Sequence, residues 1–314
     1  MKLFRSQFGR SRGGFTLVEL MVGVALTTVI IFALYNIFNQ TQRALRANVA
    51  QTDVMESGRA AEQLIARELE QIAPANFWQT NLYAAIPPVL QPPTLPLQVL
   101  LENDNKTPFA TNVLQEVFFL SQVTNHWLGT GYRVVGANLG VGSLYRFSVG
   151  TTKRGLRSEN LLNRFFLEPI PLATNIISTN WARVLDGVVH FRIAAFDADG
   201  RRLGIETTNM PQGLKIVRSG RPVFSNASTA PGAPNPPNLV LQGENIPNQT
   251  RLAFTSNAVP AFIDLELGIL EPQALQQYKA MREGPAQLAV EFLRKQAPKV
   301  HYFRERIPVR TSVQ

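Results

Sequence analysis

Gly13-Gly14-Phe15-Thr16-Leu17-Val18-Glu19-Leu20 is the stretch on which the reading of this chain turns. It joins a basic leader to a run over residues 15–38 that holds no proline and one charge, Glu19. At about 1.5 Å per residue a helix over that run reaches roughly 36 Å, enough to cross the hydrocarbon layer of a bilayer with some tilt. A secretory signal would carry a shorter apolar region, about 7–15 residues, with small residues after it. Here the small pair Gly13-Gly14 stands before the run, so a cut at that pair leaves the helix in place as an anchor. A carboxylate in hydrocarbon costs about 2.5–3.5 kcal/mol at a helix centre on insertion scales unless it is paired or near the interface. Glu19 therefore needs a partner.

The leader sets orientation. Lys2, Arg5, Arg10 and Arg12 precede the run, with no acid among residues 1–14. Positive residues beside a span mark its cytoplasmic side, which puts the rest of the chain across the membrane. The net charge of +9 is thus in part a statement about topology, and only then about ligands.

The basic leader, Gly14, the order Phe15-Thr16-Leu17-Val18-Glu19 and the apolar span together resemble the processing motif of type IV pilins and type II secretion pseudopilins. The resemblance implies cleavage by a prepilin peptidase between Gly14 and Phe15, N-methylation of Phe15 as the mature amino terminus, and an assembly role for Phe15 and Glu19. In that role the Glu19 carboxylate pairs with the amino terminus of a neighbouring subunit. The implied partners are prepilin peptidase, other pilin or pseudopilin subunits and the membrane, with secreted cargo as a further one. The implied location is the cytoplasmic (inner) membrane, crossed once, with the soluble domain in the periplasm or on a cell-surface fibre. Residues 181–188, the strand after them, Asp199-Gly200, and Val259-Pro260-Ala261-Phe262-Ile263 are similar to J-type pseudopilins and W-type minor pilins. The largest tip pseudopilin type usually lacks the assembly glutamate, so Glu19 points away from it.

No proline follows the span until Pro74, and residues 40–73 are rich in the good helix formers Ala, Arg, Glu, Gln and Leu. One helix over residues 15–73 is predicted, roughly 88 Å long at about 1.5 Å per residue. Ala61, Ile65, Leu69 and Ile72 form its apolar stripe, with Glu62, Arg67, Glu68 and Glu70 off it. Gly58 reads as a weak point and Pro74 as the stop.

Beyond Pro74 the prolines at 87, 88, 92, 93 and 96 predict an extended connection. Strands are expected over residues 113–120, 132–135, 144–149 and 164–170. Alternation at 189–193 gives another strand, followed by a turn at Asp197-Ala198-Asp199-Gly200. Residues 263–269 alternate cleanly, and a last strand over 302–310 puts Phe303, Ile307 and Val309 opposite Arg304, Arg306 and Arg310. Residues 225–247, rich in Pro, Asn, Gly and Ser, read as a long loop. Pro272 opens a helical segment running to about residue 296, broken at Gly284-Pro285. The fold class is α+β: a long N-terminal helix, membrane-spanning in its first half, packed on an antiparallel β-sheet domain in the pilin manner. The organisation is a cleaved leader at 1–14, a helix at 15–73 with 15–38 transmembrane, and a soluble β-rich domain at 74–314.

Little else in the chain suggests chemistry. The absence of cysteine removes disulfides, thiol catalysis and zinc ribbons, and His126, His190 and His301 stand far apart. Asp197 and Asp199 before Gly200 look like the start of a calcium loop, but Arg201 and Arg202 follow, which favours a hairpin turn. Gly129-Thr130-Gly131 and Gly140-Val141-Gly142 lack the strand-to-helix setting of a phosphate loop; Gly9-Arg10-Ser11-Arg12-Gly13 matches Gly-x-Ser-x-Gly only inside the basic leader, with no apolar strand before it to make a nucleophile elbow, and His-Glu-x-x-His does not occur. The expectation is a non-enzymatic chain with no catalytic residues, metal or cofactor; a membrane-tethered enzyme is the remote alternative. The basic tail is the one further signal. Arg304, Arg306 and Arg310, interleaved with Tyr302 and Phe303, are candidate nucleic-acid contacts of a DNA-uptake minor pilin. Glu291 and Glu305 dilute that charge, and a solvated strand face is the plainer reading.

Overall fold

The structure, a computed structural model, describes residues 16–75, 79–87, 95–102, 105–171, 180–200, 202–203, 205–210, 213–218, 239–243, 250–255 and 258–310. The chain divides into two units, Met1–Ala50 and Gln51–Gln314. Helix α1 (Leu17–Leu69) opens the described chain. In the first unit its large apolar residues, from Leu17 to Phe38, are all exposed.

The second unit begins on the same helix and continues as an antiparallel sheet. Its strands are β1 (Thr80–Ala85), β4 (Glu116–Val123), β5 (His126–Val135), β6 (Gly142–Thr152), β7 (Trp181–Phe196), β8 (Arg202–Leu203), β11 (Leu239–Gly243), β12 (Thr250–Thr255), β13 (Phe262–Leu270) and β14 (Val300–Pro308). They lie in the order β11-β12-β1-β4-β5-β6-β7-β13-β14, with β8 beside β7. Two hairpins stand apart from this sheet: β2 (Pro96–Glu102) with β3 (Asn105–Thr111), and β9 (Ile205–Met210) with β10 (Gly213–Arg218). Helices α2 (Lys153–Ser158) and α3 (Leu161–Leu167) follow β6, and α4 (Pro272–Arg282) and α5 (Ala286–Gln296) follow β13. The architecture is α+β, a long N-terminal helix followed by an antiparallel β-sheet domain.

Alternation along the strands sorts the core into layers. On one face Val54, Ala61, Ile65 and Leu69 of α1 pack with Val117, Phe119, Tyr132, Leu144, Phe191, Leu265, Leu267 and Phe303. On the other face Phe118, Leu120, Phe147 and Trp181 meet Leu156, Leu161 and Phe165 of α2 and α3. Beside them Val189 and Leu270 meet Ala274 and Tyr278 of α4 and Ala289 and Leu293 of α5. Helices thus cover both faces, which is why the first six residues of β4 are all buried.

Close approach is set by two glycines. A Cβ on Gly58 would lie 2.7 Å from Ile269 Cδ1 and nearer still to the Phe303 ring, so this position is where α1 presses onto the sheet. A Cβ on Gly131 would run into the Phe165 ring, which fixes where α3 seats. Arg133 lies over that ring at 4.5 Å and pairs with Glu116 at 2.9 Å, holding α3 down from the strand side.

Four expectations change. The helix ends at Leu69, not near 73, because Ile72 bridges to Ser121 and Ala73 N donates to Leu120 O at 2.9 Å. Residues 164–170 are not a strand. Asn160 Oδ1 accepts from Leu162 N and Asn163 N, capping α3, and Leu161 and Phe165 then fall on one buried helix face. The strand expected at 113–120 starts at Glu116, with Leu114 in a parallel bridge to Phe191. Within the loop expected near 225–247, Leu239–Gly243 forms β11 against β12; its other residues lie outside the described ones.

Candidate processing and assembly site

Thr16 and Glu19 form a reciprocal pair at the start of α1. Thr16 N and Thr16 Oγ1 each donate to Glu19 Oε2 at 3.0 Å, and Glu19 N donates back to Thr16 Oγ1 at 3.3 Å. Thr16 O takes the first helical bond, from Leu20 N at 3.2 Å. This is a capping box: the first turn of a helix leaves amide hydrogens without partners, and Thr-x-x-Glu supplies acceptors for two of them. A carboxylate there also lies at the positive end of the helix dipole. Gly14 and Phe15, the expected processing residues, lie outside the described residues.

Three polar side chains of the apolar run that follows bond back to their own helix. Thr27 Oγ1 donates to Gly23 O at 2.7 Å, Thr28 Oγ1 to Val24 O at 2.8 Å, and Asn36 Nδ2 to Phe32 O at 3.1 Å. Side chains bonded to the preceding turn enter hydrocarbon at a reduced cost, because the two threonine hydroxyl hydrogens and one of the two Asn36 amide hydrogens already have acceptors. The helix is long and apolar enough to cross a membrane, and no part of its most apolar stretch is buried within the protein.

The three candidate arginines are engaged elsewhere. Strands β13 and β14 pair Asp264 with Arg306 and Glu266 with Arg304. Arg306 grips Asp264 with two bonds, Nε to Oδ1 at 2.6 Å and Nη2 to Oδ2 at 2.9 Å, and Arg304 Nη2 adds a third at 3.1 Å. Asp264 is 3% exposed, and the Arg306 bonds hold its carboxyl below the usual range against the opposing effect of burial. Arg310 stands apart from that pair, with Nη2 on Glu70 Oε2 at 2.6 Å and its own N–H on Glu70 O at 3.2 Å. The acceptors were not legible as partners, because cross-strand register brings Asp264 and Glu266 there and the packing of the end of α1 beside the end of β14 brings Glu70.

Among the described residues no group of three or more His, Asp or Glu side chains is placed to hold a metal. Asp197 and Asp199 lie in the turn between β7 and β8, where Gly200 N donates to Asp197 O at 3.0 Å.

Residues 9–35 match the prokaryotic N-terminal methylation motif. No curated protein and no solved structure matches the chain. The motif supports a type IV pilin-like or pseudopilin subunit, and implies processing by a prepilin peptidase and assembly with other pilin subunits. With the apolar helix that follows, it is consistent with a single-pass membrane anchor.

Proposed function

We propose that the chain is a structural minor pilin or pseudopilin subunit of a type IV pilus or type II secretion pseudopilus. It is cut after Gly14, methylated on Phe15, and assembled through its N-terminal helix, with Glu19 pairing to the amino terminus of a neighbour. The soluble domain lies outside the cytoplasm, because the basic leader favours the inner side. It has no enzymatic role and meets other minor subunits or secreted cargo. Glu19 and residues 181–188 favour a J-type or W-type position within such a fibre.

The observation that carries this reading is the Thr16–Glu19 capping box, set at the head of an exposed apolar helix and inside the matched motif. The internal pairing of Arg304, Arg306 and Arg310 favours a structural role for those residues over a nucleic-acid one.

Mass spectrometry of the amino terminus, on protein taken from its native membrane, tests the proposal. N-methyl-Phe at Phe15 is expected, and an intact Met1 terminus would overturn it. In the same cells Glu19→Ala should leave membrane insertion intact and abolish incorporation into the fibre.

A further inference from the structure

Strand β7 is longer than its neighbour β6, whose pairing stops at Gly142 opposite Val188. Beyond that point residues 112–115, the strap leading from β3 into β4, take the vacated edge. Phe191 N donates to Val113 O at 2.7 Å, Gln115 N to Phe191 O at 2.9 Å, and Ile193 N to Gln115 Oε1 at 2.8 Å. Asn112 closes the base of the β2–β3 hairpin, accepting Leu95 N on Oδ1 at 2.8 Å and donating its own N–H to Leu95 O at 3.1 Å. Val113 N–H goes not to a carbonyl but to His190 Nδ1 at 2.9 Å.

That bond fixes the state of the histidine. Nδ1 accepts, so the proton of the neutral ring sits on Nε2, facing Glu266 Oε2 at 3.3 Å. The side chain is 2% exposed, with the Tyr302 ring 5.1 Å away. The charged groups nearby are Glu266 on β13, Arg192 on β7 and Arg304 on β14, both arginines lying against Glu266 at 3.8 and 3.7 Å. Tyr302 on β14 is the other titratable neighbour, and residues 112–115 carry no titratable side chain. A second proton on the ring must go to Nδ1, and an N–H there points at the Val113 N–H.

We propose that His190 is an acid-operated joint, whose protonation at Nδ1 breaks the bond to Val113 and releases the strap from β7, and with it the base of the β2–β3 hairpin. Burial disfavours the imidazolium and Glu266 favours it; burial wins, and His190 is held below the ordinary histidine range. The closed strap binds this proton less readily than the open one. It is therefore favoured at neutral pH and loses ground as pH falls below the ordinary histidine value, by up to about tenfold in the opening equilibrium per pH unit.

Amide exchange on the full chain in detergent micelles, corrected for the intrinsic effect of pH on exchange, tests the joint. Between about pH 7.5 and about pH 5, protection at Val113, Gln115 and Phe191 should fall by roughly tenfold or more relative to the β4–β5 pairs. His190→Asn keeps an acceptor oxygen near the Nδ1 position and does not titrate, so its protection should not follow pH. Equal acid loosening in H190N, or none in the parent, would overturn the proposal. A second readout needs no variant: in histidine labelled with nitrogen-15, His190 Nδ1 must be unprotonated at neutral pH. A proton found there refutes the joint.

Discussion

Replacing Glu68 with leucine should detach the last turn of α1 from the sheet it packs on. Glu68 Oε1 accepts Arg146 Nε at 2.9 Å and Nη2 at 2.6 Å, while Oε2 takes the Tyr132 hydroxyl. Tyr132 is fully buried, and the carboxylate and guanidinium are 18% and 25% exposed. Without Glu68 the tyrosine hydroxyl loses its acceptor in a dry site, which costs about 1–3 kcal/mol. Removing one partner of a buried ion pair costs about 3–5 kcal/mol, but a guanidinium one-quarter exposed recovers some hydration, so the lower end applies. Leucine fills the space, so no cavity adds to the loss. Taking the low end of both costs, the expected total is about 4 kcal/mol. Urea unfolding of the full chain in micelles, followed by fluorescence of the buried Trp127 and Trp181, would show it as a lower midpoint with an unchanged slope. Replacing the whole cluster, Glu68→Leu with Arg146→Met and Tyr132→Phe, should restore most of the stability, because no orphaned polar group remains. A Glu68→Leu protein within about 0.5 kcal/mol of the parent would refute the reasoning, since that is the range of ordinary surface changes.

Gly58→Ala should destabilise by up to about 2 kcal/mol, because overpacking against Phe303 and Ile269 costs about 1–3 kcal/mol, of which alanine's better helix propensity returns about 1 kcal/mol. Adding Phe303→Leu should reverse the sign of that change, and a stabilised single variant in the same urea assay would contradict it. Acid should weaken the β13–β14 pairing. Asp264 is held below its ordinary value by Arg306, so its contribution is present above the unfolded carboxylate pKa of about 3.9 and is lost as pH falls through the lower folded value. Unfolding midpoints measured through that window should drop more steeply for the parent than for Asp264→Asn. Glu62 has the opposite sign: burial first, then Glu305, raises its pKa, so Glu62→Gln should stabilise the protein at neutral pH and make no difference once the pH falls below the unfolded glutamate value.

How much was legible in the chain depended on whether one face of an element is wet. Residues 263–269 alternate because Asp264 and Glu266 face the charged rows of β7 and β14 while Ile263, Leu265 and Leu267 face α1. The stripe Ala61, Ile65, Leu69 was readable for the same reason. Strand β4 is covered on both sides, so Phe118 and Phe119 erase the alternation that would have placed its ends. Residues 161–167 misled because Phe165-Phe166-Leu167 suits a strand as well as a helix; the distinguishing sign was Asn160, a helix cap four residues before Arg164. Gly58 carried the wrong weight, since propensity treats glycine as a fault and packing used it as a seat. The methylation motif was legible because its parts are contiguous. The partners of Arg306 and Arg310 were not, for Asp264 and Glu70 lie far from them in the chain.

Glu19 and Glu68 belong to one helix and are treated in opposite ways, which bears on the assembly role proposed for the first. Glu68 is fixed by a guanidinium and a buried hydroxyl, and giving both up costs about 4 kcal/mol. Glu19 is exposed and takes its bonds from Thr16 alone, within its own first turn. Losing such a cap costs about 0.5–2 kcal/mol. A carboxylate in hydrocarbon costs about 2.5–3.5 kcal/mol when unpaired, so under the proposed assembly a neighbour's ammonium within the membrane would be a stronger partner for Glu19 than the cap. The capping box therefore suits Glu19 to waiting: it satisfies the carboxylate before assembly, yet is weak enough to yield during it. Of the two acids only the one held loosely can change partners, and position in the helix, not residue type, decides which that is.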